Sequence, residues 1–439
     1  MKSPRYRWFV VAVFFFFMLL HQADKLLIGP LTTPIMETFD INEAQMGTVF
    51  TGALIVGAFL YPIWGYLYDR FARSKLLALA SFIWGSTTWL SAIAPTYPAF
   101  LASRASTGLD DSSYPGLFSL VADYFSPAVR GKVYGLLQLT TPLGYLLGMV
   151  LALMLQGTLG WRGVFYLTGA LGILLAVVIF FGVREAPRGR SEPELAELSH
   201  IGRYHFDWQV AKNLFKKRSL LLLYLQGFFG VFPWNVIAYW FFRYLEVERG
   251  YESSAILVTM AAAIMVMSLG YLSGGSLGDL LFRRTRRGRA IVSTGGILLG
   301  AVFLAVALSV PVGNQLLFGL TLVMAAFFMP FSSPNVISSV FDITLPEVRS
   351  TSLAVQYFLE SSGAALAPVL AGLIAASASL EVAILVICLS AWLISALLFA
   401  LVAVVIPTDI ETLRGQLRQR AAEQRGGVAA ALEPTGATT

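Results

Sequence analysis

The stretch "GYLYDRFARSK", Gly65–Lys75, follows a long apolar run and ends in basic residues. A second stretch of the same form, "GSLGDLLFRRTRRGR", occupies Gly275–Arg289. Both read G-x-L-x-D followed by Arg or Lys. Another pair repeats beside them, "DYFSPAVRG" from Asp123 and "DITLPEVRS" from Asp342. Without a gap, Asp123 aligns with Asp342, Pro127 with Pro346, Val129 with Val348 and Arg130 with Arg349. Two independent matches at corresponding places read as an internal duplication.

Of the 439 residues, 57% are hydrophobic and 13% charged, with a mean hydropathy of +0.72. Soluble chains carry about 25% charged residues, so this is the composition of a polytopic membrane protein. Twelve apolar segments are legible, at 8–32, 44–68, 75–94, 97–121, 131–156, 161–184, 218–242, 253–281, 289–310, 313–341, 350–375 and 380–406. They match the roughly 20-residue length of a spanning helix, and they lack the alternation of barrel strands. The single cysteine, Cys388, lies in an apolar run, which excludes a disulfide framework and a cysteine metal site. The N-terminal run has no small-residue cleavage site and reads as a signal anchor that is also the first span.

A cytoplasmic N-terminus puts "KSPRYR", "RFARSK", "AVRGK", "RRTRRGR" and "PEVRS" on one side, with most of the 31 Lys and Arg. That asymmetry predicts cytoplasmic N- and C-termini. The net charge of +6 then reflects contact with anionic lipid headgroups and calls for no nucleic acid. The organisation expected is an N-terminal six-helix bundle (1–184), a cytoplasmic linker with a short surface helix (185–217), a C-terminal six-helix bundle (218–406) and a partly disordered tail (407–439). An all-α membrane protein of two pseudo-symmetric six-span halves has the architecture of a secondary transporter.

"GYLYDRFARSK" resembles the signature loop of the major facilitator superfamily, G-x-x-x-D-R-x-G-R-R/K. Gly65, Asp69, Arg70, Arg73 and Lys75 match, and Ala72 replaces the second glycine. "RASTG", Arg104–Gly108, resembles that superfamily's helix 4 motif, R-x-x-x-G. A finer resemblance is to spinster-like lipid transporters, which carry Asp-Arg in helix 1 and R-x-x-x-G-x-G-E-A-S-Y in helix 4. Here helix 1 has Asp24-Lys25 and helix 4 reads "RASTGLDDSSY", with Asp111 at the family's glutamate and Asp110 at its glycine. Anion–cation symporters share part of this pattern. The resemblance implies a rocker-switch carrier with a central cavity. It also implies a cytoplasmic gate of Gly65, Asp69, Arg70, Arg73, Asp123, Arg130, Asp279, Asp342 and Arg349, closing through charged contacts between the halves.

On a continuous fourth helix, Arg104, Gly108, Asp111 and Pro115 fall within about 60° of one another. Asp110 points elsewhere, toward Thr107 and Tyr114, with no partner the sequence names. A carboxylate at membrane depth costs a few kcal/mol. Burial raises its pKa and a nearby cation lowers it, so Asp111 beside Arg104, and Asp24 in the first span, are the expected proton-coupling groups. Lys25 or Arg104 suits an anionic headgroup. His21, Lys25, Tyr114, Asn235, Tyr239, Trp240, Asn335, Gln356 and Glu360 are the polar or aromatic mid-span residues expected to bind substrate, with Trp234 able to join the aromatic wall.

Gly131-Lys132 precedes Val133, so there is no phosphate-binding lysine motif for an ATP-driven pump. An enzyme is not expected, nor a metal site or a cofactor other than the coupling proton. The expected activity is proton-coupled movement of an amphiphilic organic anion such as a lysophospholipid by a monomer in the plasma (inner) membrane. The alternatives are symport of small organic carboxylates and a non-transporting sensor.

Overall fold

The computed structural model describes residues 4–28, 31–41, 43–111, 113–195 and 208–432, and every regular element among them is helical. The N-terminal half contains α1 (Pro4–Leu27), α2 (Thr32–Phe39), α3 (Glu43–Arg70), α4 (Arg73–Ile93), α5 (Tyr97–Ser106), α6 (Gly108–Asp111), α7 (Tyr114–Tyr124), α8 (Arg130–Gln138) and α9 (Thr140–Gly182). After the short α10 (Trp208–Leu214), the C-terminal half contains α11 (Arg218–Gly230), α12 (Phe232–Arg243), α13 (Ser253–Phe282), α14 (Gly288–Ser309), α15 (Gln315–Phe328), α16 (Ser333–Ile343), α17 (Arg349–Ser377) and α18 (Leu380–Leu432). Among the described residues, 10 helical stretches are long and apolar enough to cross a membrane. The expected segments 44–68 and 97–121 lie outside those ten; they are α3 and the run α5–α7.

Three local features differ from the sequence reading. The stretch 97–121 is interrupted: α5 ends at Ser106, α6 is one turn, and α7 restarts at Tyr114 with Pro115 second. The break between Arg104 and Asp111 is at Thr107, where the Thr107 N–H bonds the Arg104 carbonyl and the Asp110 N–H bonds the Thr107 carbonyl, three residues back instead of four, so the continuous fourth helix expected there is not formed. The segments 131–156 and 161–184 run almost without a break through α8 and α9, bent at Gly160, whose φ of 64° is a glycine conformation. Beyond Pro407, α18 continues helical to Leu432. There Leu413, Leu417 and Ala421 recur at helical spacing and are buried.

The halves meet where α3 packs on α17 and α8 on α13. Glycines permit the second approach, since a Cβ on Gly275 would lie 2.2 Å from the Gly131 carbonyl oxygen.

Candidate functional site

Between the halves lies a cavity of about 390 Å³. Its polar wall includes Gln22 and Lys25 of α1, the hydroxyl-bearing Tyr61, Tyr114, Tyr271 and Tyr357, and Glu360 of α17; Met18, Phe118 and Trp234 supply apolar surface. A smaller space of about 110 Å³ shares Gln138, Val231, Ser333, Tyr357 and Glu360 with it and adds Gln226. Trp234 also borders a wholly apolar pocket of about 50 Å³, walled by Phe241, Met260, Met267, Leu322 and Trp392 within the C-terminal half. The interrupted helices explain these walls. Restarts at Tyr114-Pro115, Phe232-Pro233 and Ser333-Pro334 bend helices beside the space and leave side chains turned into it.

Behind the cavity, Asp24 and Arg104 are both buried and face each other across α1 and α5, 3.7 Å from Oδ2 to Nη1. Thr88 and Thr168 donate to the Asp24 carboxylate at 3.1 and 2.6 Å. Arg104 therefore serves helix 1, through Asp24. The Asp111 side chain, like that of Tyr239, lies outside the described residues. Asp110, unassigned from sequence, is fully buried, and its Oδ2 lies 2.6 Å from His21 Nε2. The other ring nitrogen of His21 is 2.7 Å from the Tyr114 hydroxyl. His21 thus sits behind the wall with Tyr114 between it and the cavity. Thr88 and Thr168 gave no signal in the sequence, because a lone threonine in an apolar helix usually bonds its own backbone.

The remaining expected binding residues divide. Lys25, Tyr114 and Glu360 line the cavity. Gln356 is buried and donates to Glu360 at 2.9 Å, so it holds that carboxylate from behind. Asn235 donates to the Val231 carbonyl on its own helix. Asn335 is 1% exposed and donates to the carbonyls of Gly274 and Phe331, so it ties α13 to α16 and does not border the cavity. Trp240 borders neither the cavity nor the apolar pocket.

At the end where the basic loops gather, the duplication becomes a matched pair of contacts. Asp69 accepts from the backbone N–H groups of Ser350 and Thr351, at 3.0 and 2.6 Å, where α17 begins. Asp279 accepts from those of Gly131 and Lys132, at 3.1 and 2.8 Å, where α8 begins. Each motif carboxylate caps the first turn of a helix in the opposite half, where free N–H groups and the helix dipole favour negative charge. Arg73 binds Asp123 at 2.6 Å, Arg349 approaches Asp123 at 3.5 Å, and Arg289 joins Asp279 at 2.9 Å and also pairs with Asp342. Arg70 is exposed and bonds the hydroxyl of Tyr66 on its own helix, so it does not join the halves. Sequence reasoning missed Arg289 and Glu192. The Oε1 of Glu192 meets Arg130 at 2.7 Å and also Arg349, while Oε2 meets Arg414 at 2.6 Å. Burial pushes this carboxyl's pKa up, and the guanidinium groups of Arg130, Arg349 and Arg414 more than reverse that, holding it well below the ordinary carboxylate range.

A two-half helical protein with apolar membrane-length helices, a central amphiphilic cavity and a charged seam at one end is a membrane carrier. A sequence model described as Major Facilitator Superfamily matches residues 13–363, and the chain belongs to that superfamily. It is 27% identical over 385 residues to Protein spinster of Drosophila melanogaster, covering 84% of this chain and 62% of that one. It is 25% identical over 307 residues to the probable sulfoacetate transporter SauU of Cupriavidus necator, covering 67% of this chain and 70% of that one. It is 24% identical over 366 residues to the sphingosine-1-phosphate transporter SPNS2 of Xenopus tropicalis, covering 77% and 68%. Among solved structures, a bacterial homolog of the human lysosomal transporter Spinster, inward-facing and unoccupied, superposes with a TM-score of 0.60 at 19% identity, covering 94% of this chain and 98% of that one. The chain is thus a multi-pass integral membrane protein whose relatives are transporters, not enzymes.

Proposed function

We propose that this protein is a proton-coupled carrier of an amphiphilic organic anion, with a lysophospholipid as the substrate class. It would work by alternating access between two six-span halves with both termini cytoplasmic, in the plasma membrane. The observation that carries the reading is a polar cavity holding Lys25 and a wholly apolar pocket that share Trp234 as a wall. A headgroup phosphate or carboxylate would sit against Lys25, a compact cation suited to an anion, and an acyl chain would reach past Trp234. The buried Asp24–Arg104 pair supports a coupling role, because its protonation would release the arginine when the halves rock. The basic end then forms the cytoplasmic gate, held closed by the Asp69 and Asp279 caps and by Glu192. Similarity to a sphingosine-1-phosphate transporter supports a lipid anion. Similarity to a probable sulfoacetate transporter favours, as second reading, a small anion held at Lys25 alone.

The test is purified protein in proteoliposomes with an internal pH dye. Lysophosphatidylglycerol and sulfoacetate are offered in turn to wild type and to Asp24→Asn. Proton movement with the lysolipid, lost in the variant, is the expected result. Movement with sulfoacetate alone supports the second reading. Labelled lysolipid crossing without protons, equally in both proteins, overturns the coupling.

A further inference from the structure

His21, Asp110 and Tyr114 form a chain of hydrogen bonds from a buried carboxylate to the cavity wall. His21 is 1% exposed and Asp110 0%. The imidazole plane is fixed by Phe17, stacked at 5.8 Å, and by Trp84, edge-on at 5.5 Å. Between these rings Nε2 faces Asp110 and Nδ1 faces Tyr114.

This geometry accommodates two charge states of the imidazole, with both ring nitrogens hydrogen-bonded in each. In the neutral ring, Nε2–H donates to Asp110 and Nδ1 accepts from the Tyr114 hydroxyl. In the imidazolium both nitrogens donate, the Tyr114 oxygen accepts, and its own hydrogen turns into the cavity. The two states differ by one proton and by the direction of the Tyr114 O–H. A proton reaching the phenol oxygen from cavity water displaces the phenol's own proton onto Nδ1, so the books of protons and charge balance. The pair passes from a net charge of minus one to zero, which favours uptake in a low-dielectric interior. Among the described residues, Tyr68 on α3 interacts electrostatically with Asp110, and Asp24, paired with Arg104 of α5, and Lys25 follow His21 within about one turn of α1. From α4 the ring of Trp84 meets the imidazole, while Thr88 of α4 and Thr168 of α9 bond Asp24.

We propose that His21 is a proton-binding site of this carrier, with Asp110 as its counter-charge and Tyr114 as the relay that joins it to the cavity. The proposal deepens the proton-coupled reading above and rests on it for the use made of the proton, not for its binding.

The chain contains 3 histidines, His21, His200 and His205, so ring-nitrogen NMR of detergent-solubilised, histidine-labelled protein resolves the question, with His21→Gln assigning the signal. The His21 ring is expected to titrate between about pH 5 and about pH 9, and Asp110→Asn to lower its midpoint by about one unit or more. A ring fixed in one charge state across that range, or an equal midpoint in Asp110→Asn, overturns the proposal. Should Asp110→Asn not fold, Tyr114→Phe keeps the His–Asp pair and removes the relay. Exchange of the His21 ring proton with water is then expected to slow about tenfold or more, and an unchanged rate overturns the relay. Titration of His21 in protein that moves no offered anion with protons supports the site and refutes the coupled reading. Proton-coupled transport with a silent His21 overturns the site and leaves coupling to Asp24.

Discussion

Glu192→Gln should loosen the basic end of the molecule. In the closed arrangement one fully buried carboxylate meets Arg130 at the start of α8, Arg349 at the start of α17 and Arg414 far along α18. The first belongs to one half and the other two to the other, so the interaction acts only while the halves are together. Glutamine keeps the size and one acceptor but removes the charge that balances these guanidinium groups. Breaking a buried ion pair by removing one partner costs about 3–5 kcal/mol. The lower figure applies here, because Glu194 still holds Arg414 at 2.8 Å and Asp123 still lies 3.5 Å from Arg349. At about 1.4 kcal/mol per tenfold, the closed-to-open ratio should fall by roughly two orders of magnitude. The assay is spin-label distance measurement between exposed positions Ser126 and Lys216, each changed to cysteine, with Cys388→Ser removing the native thiol. The variant should gain a longer-distance population that wild type lacks. Glu194→Gln, whose ion-pair partner among the described residues is Arg414, should shift the distribution little. If the distance distributions of Glu192→Gln and wild type superimpose, Glu192 is not holding the halves together and the reasoning fails.

The same network fixes a pH dependence. Glu192 has a folded pKa below its exposed value of about 4.3, so its contribution is complete above that value and is lost only as pH falls below it; the difference between the wild-type and Glu192→Gln distance distributions should not change between about pH 5 and about pH 8. Gly275→Val should prevent close approach of α13 and α8, because the new Cβ meets backbone at 2.2 Å, and the spin-label distance should lengthen with a fall in melting temperature. Lys25→Gln should weaken lysophosphatidylglycerol binding about 10- to 100-fold, the ~1.5–3 kcal/mol of a hydrogen bond to a charged group, measured by scintillation proximity. Ala263→Phe, filling the apolar pocket beside Trp234, should weaken long-chain lysolipid binding while leaving any sulfoacetate binding unchanged; equal loss for both would refute the division of the site.

Spans, duplication and the seam were legible because they follow from one-dimensional quantities. Apolar length sets where helices run, and the paired motifs around Asp69 and Asp279 repeat in plain text. Two buried acids in the first and fourth segments were also visible as costly residues in apolar runs. Their partners were not. The helical wheel set Arg104 beside Asp111 on a continuous helix, whereas the segment is broken at Thr107 and Arg104 faces Asp24. His21 and Asp110 are far apart in sequence, and nothing in their own segments says that they meet at 2.6 Å. Glu192 sits in a polar linker where a carboxylate looks like any solvated one; only packing buries it among arginines from three elements. Composition and periodicity therefore determined which residues enter the membrane and where the chain repeats, since those depend on transfer from water to lipid. Which charge meets which was decided by tertiary structure, because ion pairs at hydrogen-bond range depend on helix breaks and crossing positions of a few ångströms that no local pattern encodes.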